Sequence, residues 1–120
     1  MSVMNTRKKM KYPDDVNGDV FRRLEEDDFD FSLEYPVDFF AVYETELEAD
    51  IVAKQYASDW KVGEKFKNIE TRPGENGGME LELVPIMQVT YENISKFEAK
   101  LAERTAKVNG YLDGWGVLHG

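Results

Sequence analysis

Cysteine is absent from this 120-residue chain. That single absence removes disulfide frameworks, cysteine-based zinc sites and thiol nucleophiles together. Histidine occurs once, as His119, so serine–histidine and multi-histidine chemistry have one penultimate side chain to draw on. No stretch approaches the roughly 18 consecutive apolar residues of a membrane-spanning helix, and the start lacks the apolar run of roughly 7 to 15 residues that marks a signal peptide. What the chain does have is seven phenylalanines, six tyrosines and two tryptophans, in a composition that is 42% hydrophobic and 32% charged. Disordered chains lack such aromatic content, so the balance implies a packed core, and the length allows one domain.

Charge is unevenly spread. Arg7, Lys8, Lys9 and Lys11 precede the first acid, leaving residues 12–120 with 11 cations against 24 acids, a net of −13, while the whole chain carries −9. An acidic body of this kind repels phosphate backbones and anionic membranes and favours a basic protein segment. Direct nucleic-acid and membrane partners are therefore not expected. Residues 1–13 read as a basic, disordered leader and 14–120 as a single domain. The lack of cysteine and of a targeting segment fits a bacterial-type cytoplasm.

Local patterns give the element order. Val16, Val20, Phe21 and Leu24 recur at helical spacing up to Glu26, with Gly18 placing the helix start after it and Asn17 or Asp19 as cap. From Leu33 to Tyr43 the residues alternate, with Val37, Phe39, Ala41 and Tyr43 on one face and Asp38, Phe40 and Val42 on the other. Thr45 and Glu48 form a capping box for a helix ending near Trp60, its apolar stripe read as Leu47, Ile51, Tyr56 and Trp60 with Ala49, Ala53 and Ala57. Strands at Lys61–Thr71 and Met79–Val89 flank the loop from Arg72 to Gly78, a hairpin, with a bulge expected at Pro85. Thr90 caps a third helix through Ile94, Phe97 and Leu101 to Gly110, read as its C-cap, before a last strand at Tyr111–Leu118. Beyond the opening helix the order is βαββαβ. It predicts an α+β, ferredoxin-like two-layer sandwich with an additional short N-terminal helix. Val20, Phe21 and Leu24 are expected to cover Phe40, Val42, Val84 and Ile86 on the sheet's second face; an uncovered apolar strip there would instead mark a dimer or partner surface.

Chemistry-bearing patterns are few. Asp15 to Asp19 faintly resembles a calcium loop, but placing Gly18 at the sixth position puts Pro13 at the first and Leu24 at the twelfth, so both essential carboxylates are missing. Glu25, Glu26, Asp27, Asp28 and Asp30 put five acids into six residues at a helix end. Carboxylates there oppose the helix dipole, so helix stability does not explain them; they are the candidate docking surface for a basic peptide, against the plainer reading of a solvated turn. Asp38, between Val37 and Phe39, reads as a charge facing solvent on the open side of the sheet. Phe40 could stack a base, but Asp38, Glu80 and Glu82 share its face and no Lys/Arg-Gly-aromatic strand motif occurs. The serines lack a nucleophile-elbow context. Gly114-Trp115-Gly116 precedes no helix and so is not an anion-binding turn. No metal, cofactor or catalytic residue is expected.

Three sequence features coincide in one known family. Asp28-Phe29-Asp30-Phe31-Ser32 follows the short helix, Val37-Asp38-Phe39 opens the strand, and Asp113-Gly114-Trp115-Gly116 stands one strand-length after the long helix. In this the chain resembles the regulator of ribonuclease E inhibitor B family, RraB, from about Val16 to Leu118. The resemblance implies a ferredoxin-like fold and a non-enzymatic protein that binds the non-catalytic C-terminal region of ribonuclease E and lowers RNA turnover. Family members have a tyrosine directly before the Asp-Gly-Trp-Gly, where this chain has Leu112 after Tyr111. For the motif itself, Gly114 and Gly116 are expected to permit a kinked last strand, with a buried Trp115 anchoring it against a helix. A different class shares the same element order: an ACT-like small-molecule-sensing or dimerisation module. A pocket at a dimer interface would favour the sensor, and an acidic surface the docking protein. Oligomeric state stays open.

Overall fold

Residues 12–117 are described by a computed structural model. Their elements are α1 (Val16–Glu26), β1 (Glu34–Tyr43), α2 (Glu46–Lys61), β2 (Phe66–Pro73), β3 (Met79–Gln88), α3 (Tyr91–Ala106) and β4 (Tyr111–Val117). Residues 1–11 of the expected leader, and Leu118 and His119, lie outside the described residues. Tyr12, assigned to that leader from sequence, is buried and stacks on Phe21 with ring centroids 5.4 Å apart.

Side-chain caps start each of the three described helices. The Thr45 hydroxyl accepts from the Glu48 amide at 3.3 Å while Glu48 accepts from the Thr45 amide at 3.2 Å, and the Thr90 hydroxyl accepts from the Asn93 amide at 3.0 Å. At α1 the cap is Asp15, which accepts from the Gly18 amide at 2.7 Å, so the helix begins before Gly18 and not after it. Gly18 is needed for space: a Cβ there would lie 1.8 Å from the Pro13 carbonyl oxygen. At the far end of α3, Asn109 takes the left-handed conformation (φ 61°) that was expected of Gly110. Gly110 instead makes room for Tyr43, whose ring would sit 2.5 Å from an added Cβ.

The four strands form one antiparallel sheet in the order β2-β3-β1-β4. Each of α2 and α3 joins two strands that are separated by one other, and both helices pack on the same face. That face carries Val37, Phe39, Ala41, Tyr43, Leu81 and Leu83, all 2% exposed or less. Each such large side chain contributes about 1.5 to 3 kcal/mol by leaving water. The helices are tied to each other as well: Arg104 of α3 lies 4.4 Å above the Tyr56 ring of α2 and donates to Asp59 at 2.9 Å. Burial opposes the charged form of Asp59, yet Arg104 and Lys100 together hold its carboxyl below the usual range.

Several sequence expectations need correction. The inner stripe of α2 is Ala49, Val52 and Tyr56, whereas Leu47, Ile51 and Trp60 are 71%, 40% and 42% exposed. At helical spacing Leu47 falls on the opposite side of α2 from Ala49, Val52 and Tyr56, so it faces outward. α2 runs through Lys61, so β2 starts only at Phe66. The bulge falls on β2 at Lys67, opposite Pro85: pairing passes from Phe66 with Pro85 to Asn68 with Val84. Proline offers no N–H to the ladder, so the facing strand can slip where it meets one.

The largest correction concerns α1. It does not cover Phe40, Val42, Val84 and Ile86. Phe21, wholly buried, meets Tyr91 of α3, Phe31 and Trp115 of β4, each with centroids 6.2 Å apart, and Trp115 pairs across the sheet with Phe39. The opening helix therefore extends the helical layer beside α3. No helix among the described residues packs on the other face of the sheet. Nor is any described helix long and apolar enough to cross a membrane.

Candidate functional site

Alternation along β1 and β3 builds the uncovered face. Phe40 stands opposite Glu82 and Val42 opposite Glu80, and on β2 Glu70 stands opposite Glu82 and Arg72 opposite Glu80. Phe40, Val42 and Ile86 are half-buried and Val84 is 2% exposed, while Tyr111, which pairs with Val42, is 63% exposed. Arg72 organises the acids: its guanidinium lies 2.9 Å from Glu80, 3.1 Å from Glu82 and 3.8 Å from Glu70. These neighbours hold the Arg72 charge firmly, Glu82 above all. Sequence reasoning put Glu80 and Glu82 on this face but assigned Arg72 to the hairpin loop, because Pro73-Gly74 reads as a turn. The strand instead continues through Pro73, which pairs with Met79.

Asp38 does not simply face solvent. It is half-buried, and its Oδ1 is covered yet has no hydrogen-bond partner. Burial first, and then the facing Glu82 carboxyl, push the Asp38 carboxyl up to about 6. Two carboxyls that close favour sharing one proton over carrying two charges.

The acidic turn lies elsewhere, at the end of α1. Glu25, Glu26, Asp27, Asp28 and Asp30 are all exposed. They are not equivalent. Asp30 accepts from the Ser32 amide at 3.0 Å and hydroxyl at 2.6 Å, which lowers its carboxyl below the usual range and shapes the turn into β1. Glu25 accepts from the Tyr12 hydroxyl at 3.1 Å. Asp27 caps the helix C-terminus and Asp28 adopts a left-handed backbone at φ 55°. The cluster is thus partly a turn motif and partly a bare acidic surface.

Asp113, Gly114, Trp115 and Gly116 lie in β4. From Phe39 to Ala41 the partner strand advances from Trp115 to Leu112, so one extra residue is bulged out, and Gly114 (φ 108°) takes the backbone conformation this needs. Trp115 is half-buried, not buried as expected, but it is anchored: its ring lies 6.3 Å from Phe39, and its Nε1 donates to Asn17 at 2.9 Å. Asn17 donates in turn to Glu98 at 2.6 Å, so one side chain links α1, α3 and β4. Local sequence marks Asn17 only as a candidate helix cap; nothing in it signals the link, whose partners lie in the last third of the chain.

The segment resembling a calcium loop is the capped start of α1, where Asp15 accepts from Gly18 and, at 2.6 Å, from the Tyr91 hydroxyl. The Tyr91 contact is the main reason its carboxyl lies below the ordinary value. Among the described residues no group of three or more His, Cys, Asp or Glu is placed to hold a metal ion. Two surface grooves of about 470 and 460 Å³ lie on the helical side, one floored by Phe66, Met87 and Phe97 with Lys65 and Lys96 at its rim, the other walled by Tyr12, Phe21, Phe31 and Tyr91.

Comparison with known proteins bears on this arrangement. No curated protein gives a significant match. A family model described as regulator of ribonuclease activity B, RraB, matches residues 14–117, which include the acidic turn, the Asp38 strand and the Asp-Gly-Trp-Gly bulge, and the chain belongs to that family.

Proposed function

We propose that this protein is a non-enzymatic regulator that docks its acidic surface on the basic, non-catalytic C-terminal region of ribonuclease E and so modulates RNA turnover in a bacterial cytoplasm. Family membership carries the reading. The charge of residues 12–120 supports it, since a body of −13 suits a Lys/Arg-rich protein segment and repels RNA itself. The strand order with α2 and α3 on one face supports reading the domain as ferredoxin-like, a scaffold that leaves one sheet face free.

Within this reading Glu25, Glu26, Asp27, Asp28 and Asp30 steer the encounter. Exposed charges of this kind act mainly on association, and salt screens them over about 10 Å at 0.1 M. The test is direct binding of the purified chain to the recombinant C-terminal region of ribonuclease E at low and moderate salt, with nuclease-treated components. Binding that weakens with salt, and slower association for the triple variant Glu25→Gln, Glu26→Gln, Asp28→Asn, are the expected results. A chain that does not bind this region, or that binds it with no salt dependence, overturns the reading.

A further inference from the structure

Asp38, Glu70, Glu80 and Glu82 share the open sheet face with Phe40 and Val42 in an alternation that no part of the described fold uses. Opposite Glu82 stands Glu70, a like-charge cross-strand pair that costs stability unless bridged. Arg72 supplies the bridge, but its three ion pairs all go to β2 and β3 acids. Asp38, on the central strand, has no cation within ion-pair distance among the described residues, and burial together with the neighbouring Glu82 carboxyl disfavours its charge. The apolar side chains lie beside these carboxyls, so the face is complementary to a segment that carries a cation next to aliphatic or aromatic residues.

We propose that this open face is the anchoring surface for the basic partner, and that it takes a protein segment in which an arginine is flanked by apolar residues, the guanidinium seating against Asp38 and Glu82 and the apolar neighbours against Phe40 and Val42. The inference rests on the reading that the chain binds a basic protein segment, and it divides the work: the acidic turn of α1 speeds encounter, and the open face slows departure. Arginine fits better than lysine because its planar fork can donate to two carboxylates at once.

Docking of a fixed cation requires Asp38 to give up its proton. Asp38 is faced by Glu82 from β3, by Lys67 and Arg72 from β2, and by Gly116, which carries no charge, from β4. Burial and the Glu82 carboxyl push its carboxyl up to about 6, so the ionised form is scarcer at pH 5 than at pH 7. Affinity for an arginine-bearing segment therefore rises several-fold, up to about tenfold, from pH 5 to pH 7, with proton release on binding.

The experiment measures calorimetric affinity at pH 5 and pH 7 for two probes, the recombinant C-terminal region of ribonuclease E and a synthetic peptide alternating arginine with leucine. Neither arginine nor leucine titrates in this interval. The parent is expected to bind both more tightly at pH 7, Asp38→Asn to lose the difference, and Phe40→Ser to dissociate faster at unchanged association rate. The triple variant of the acidic turn, with Asp38 intact, is expected to keep the pH dependence. Should Asp38→Asn bind the peptide with the parent's pH dependence, or Phe40→Ser dissociate at the parent's rate, the open face is not the anchor. Peptide binding with an Asp38-dependent pH profile, alongside no binding of the ribonuclease E region, would refute the proposed partner and leave the surface standing. Binding of that region with no dependence on Asp38 or Phe40 would refute the surface and leave the partner standing. Failure of both probes to bind overturns both.

Discussion

Phe39 and Phe40 are consecutive residues of one strand, and they occupy different environments. Phe39 points into the helical layer, 1% exposed, with the Phe97 ring 4.4 Å away and Trp115 beyond it. Phe40 points the other way, half-buried, with Glu82 directly opposite. On the covered face aromatic rings meet aromatic rings from six elements, α1, β1, α2, β2, α3 and β4. On the open face apolar side chains alternate with carboxyls, and a single arginine on β2 holds three of the acids. The contrast separates what holds the molecule together from what it has available for a partner, because side chains committed to a core are not free to bind anything else.

The strongest test of that contrast truncates each phenylalanine in turn. Phe39→Ala should lose about 3 to 5 kcal/mol of stability, a core cavity, whereas Phe40→Ala should lose about 1 kcal/mol in denaturant melts. Equal losses would mean that the two faces are equally covered. Next in size, Trp115→Ala should cost about 2 to 3 kcal/mol, less than a fully buried tryptophan, and Trp115→Phe about 1 kcal/mol through the lost hydrogen bond to Asn17. A Trp115→Phe variant as unstable as Trp115→Ala would show that the indole N–H, and not the ring, is the anchor.

Asp38→Asn sharpens the comparison from the open side. Because the folded-state carboxyl titrates at about 6 and the unfolded one near its ordinary value, the folded state binds the extra proton between those limits, and parent stability falls as pH rises from about 4 to 6. The asparagine variant escapes that loss. It should be about 1 kcal/mol more stable than the parent at pH 7 and no more stable at pH 4, a figure reduced for partial exposure. An Asp38→Asn protein less stable than the parent at pH 7 would mean that the carboxylate has a favourable partner. Smallest of all, Glu26→Gln and Asp28→Asn should change stability by no more than about 0.5 kcal/mol, as exposed turn residues do. A larger change would turn the acidic surface of the α1 turn into a structural device.

Much of this was legible in the sequence, for local reasons. Thr45 with Glu48, and Thr90 before a helical repeat, mark helix starts with side chains that satisfy the first amides. Strict alternation from Val37 to Tyr43 and from Glu80 to Gln88 assigns faces, and it placed Asp38 with Glu80 and Glu82 correctly. What failed was whatever depends on distant partners. Phe21 announces a buried face on α1 but not which surface buries it, and its partner Trp115 is 94 positions later in the chain. The inner stripe of α2 was misread because alanine gives a weak apolar signal, although Ala49, Val52, Ala53 and Tyr56 keep the i, i+3, i+4, i+7 spacing. Arg72 was missed because Pro73 and Gly74 are strong turn residues, and only the pairing with β3 shows the strand running on. The state of Asp38 depends on a carboxyl from another strand, which no local pattern reports.

Strand order also bears on how the chain is made. β1 is the first of the described strands to leave the ribosome, yet it lies inside the sheet, between β3 and β4, with Val37 paired to Val117. Only the β2–β3 hairpin is closed by a short loop; both pairings of β1 span long stretches of chain and so form late and slowly. During synthesis the strand that carries Phe39 and Phe40 has two unpaired edges until β3 emerges and one until β4 does. For that interval both of its faces are exposed, and the aromatic surface that will become the core is at its most vulnerable to pairing with another chain.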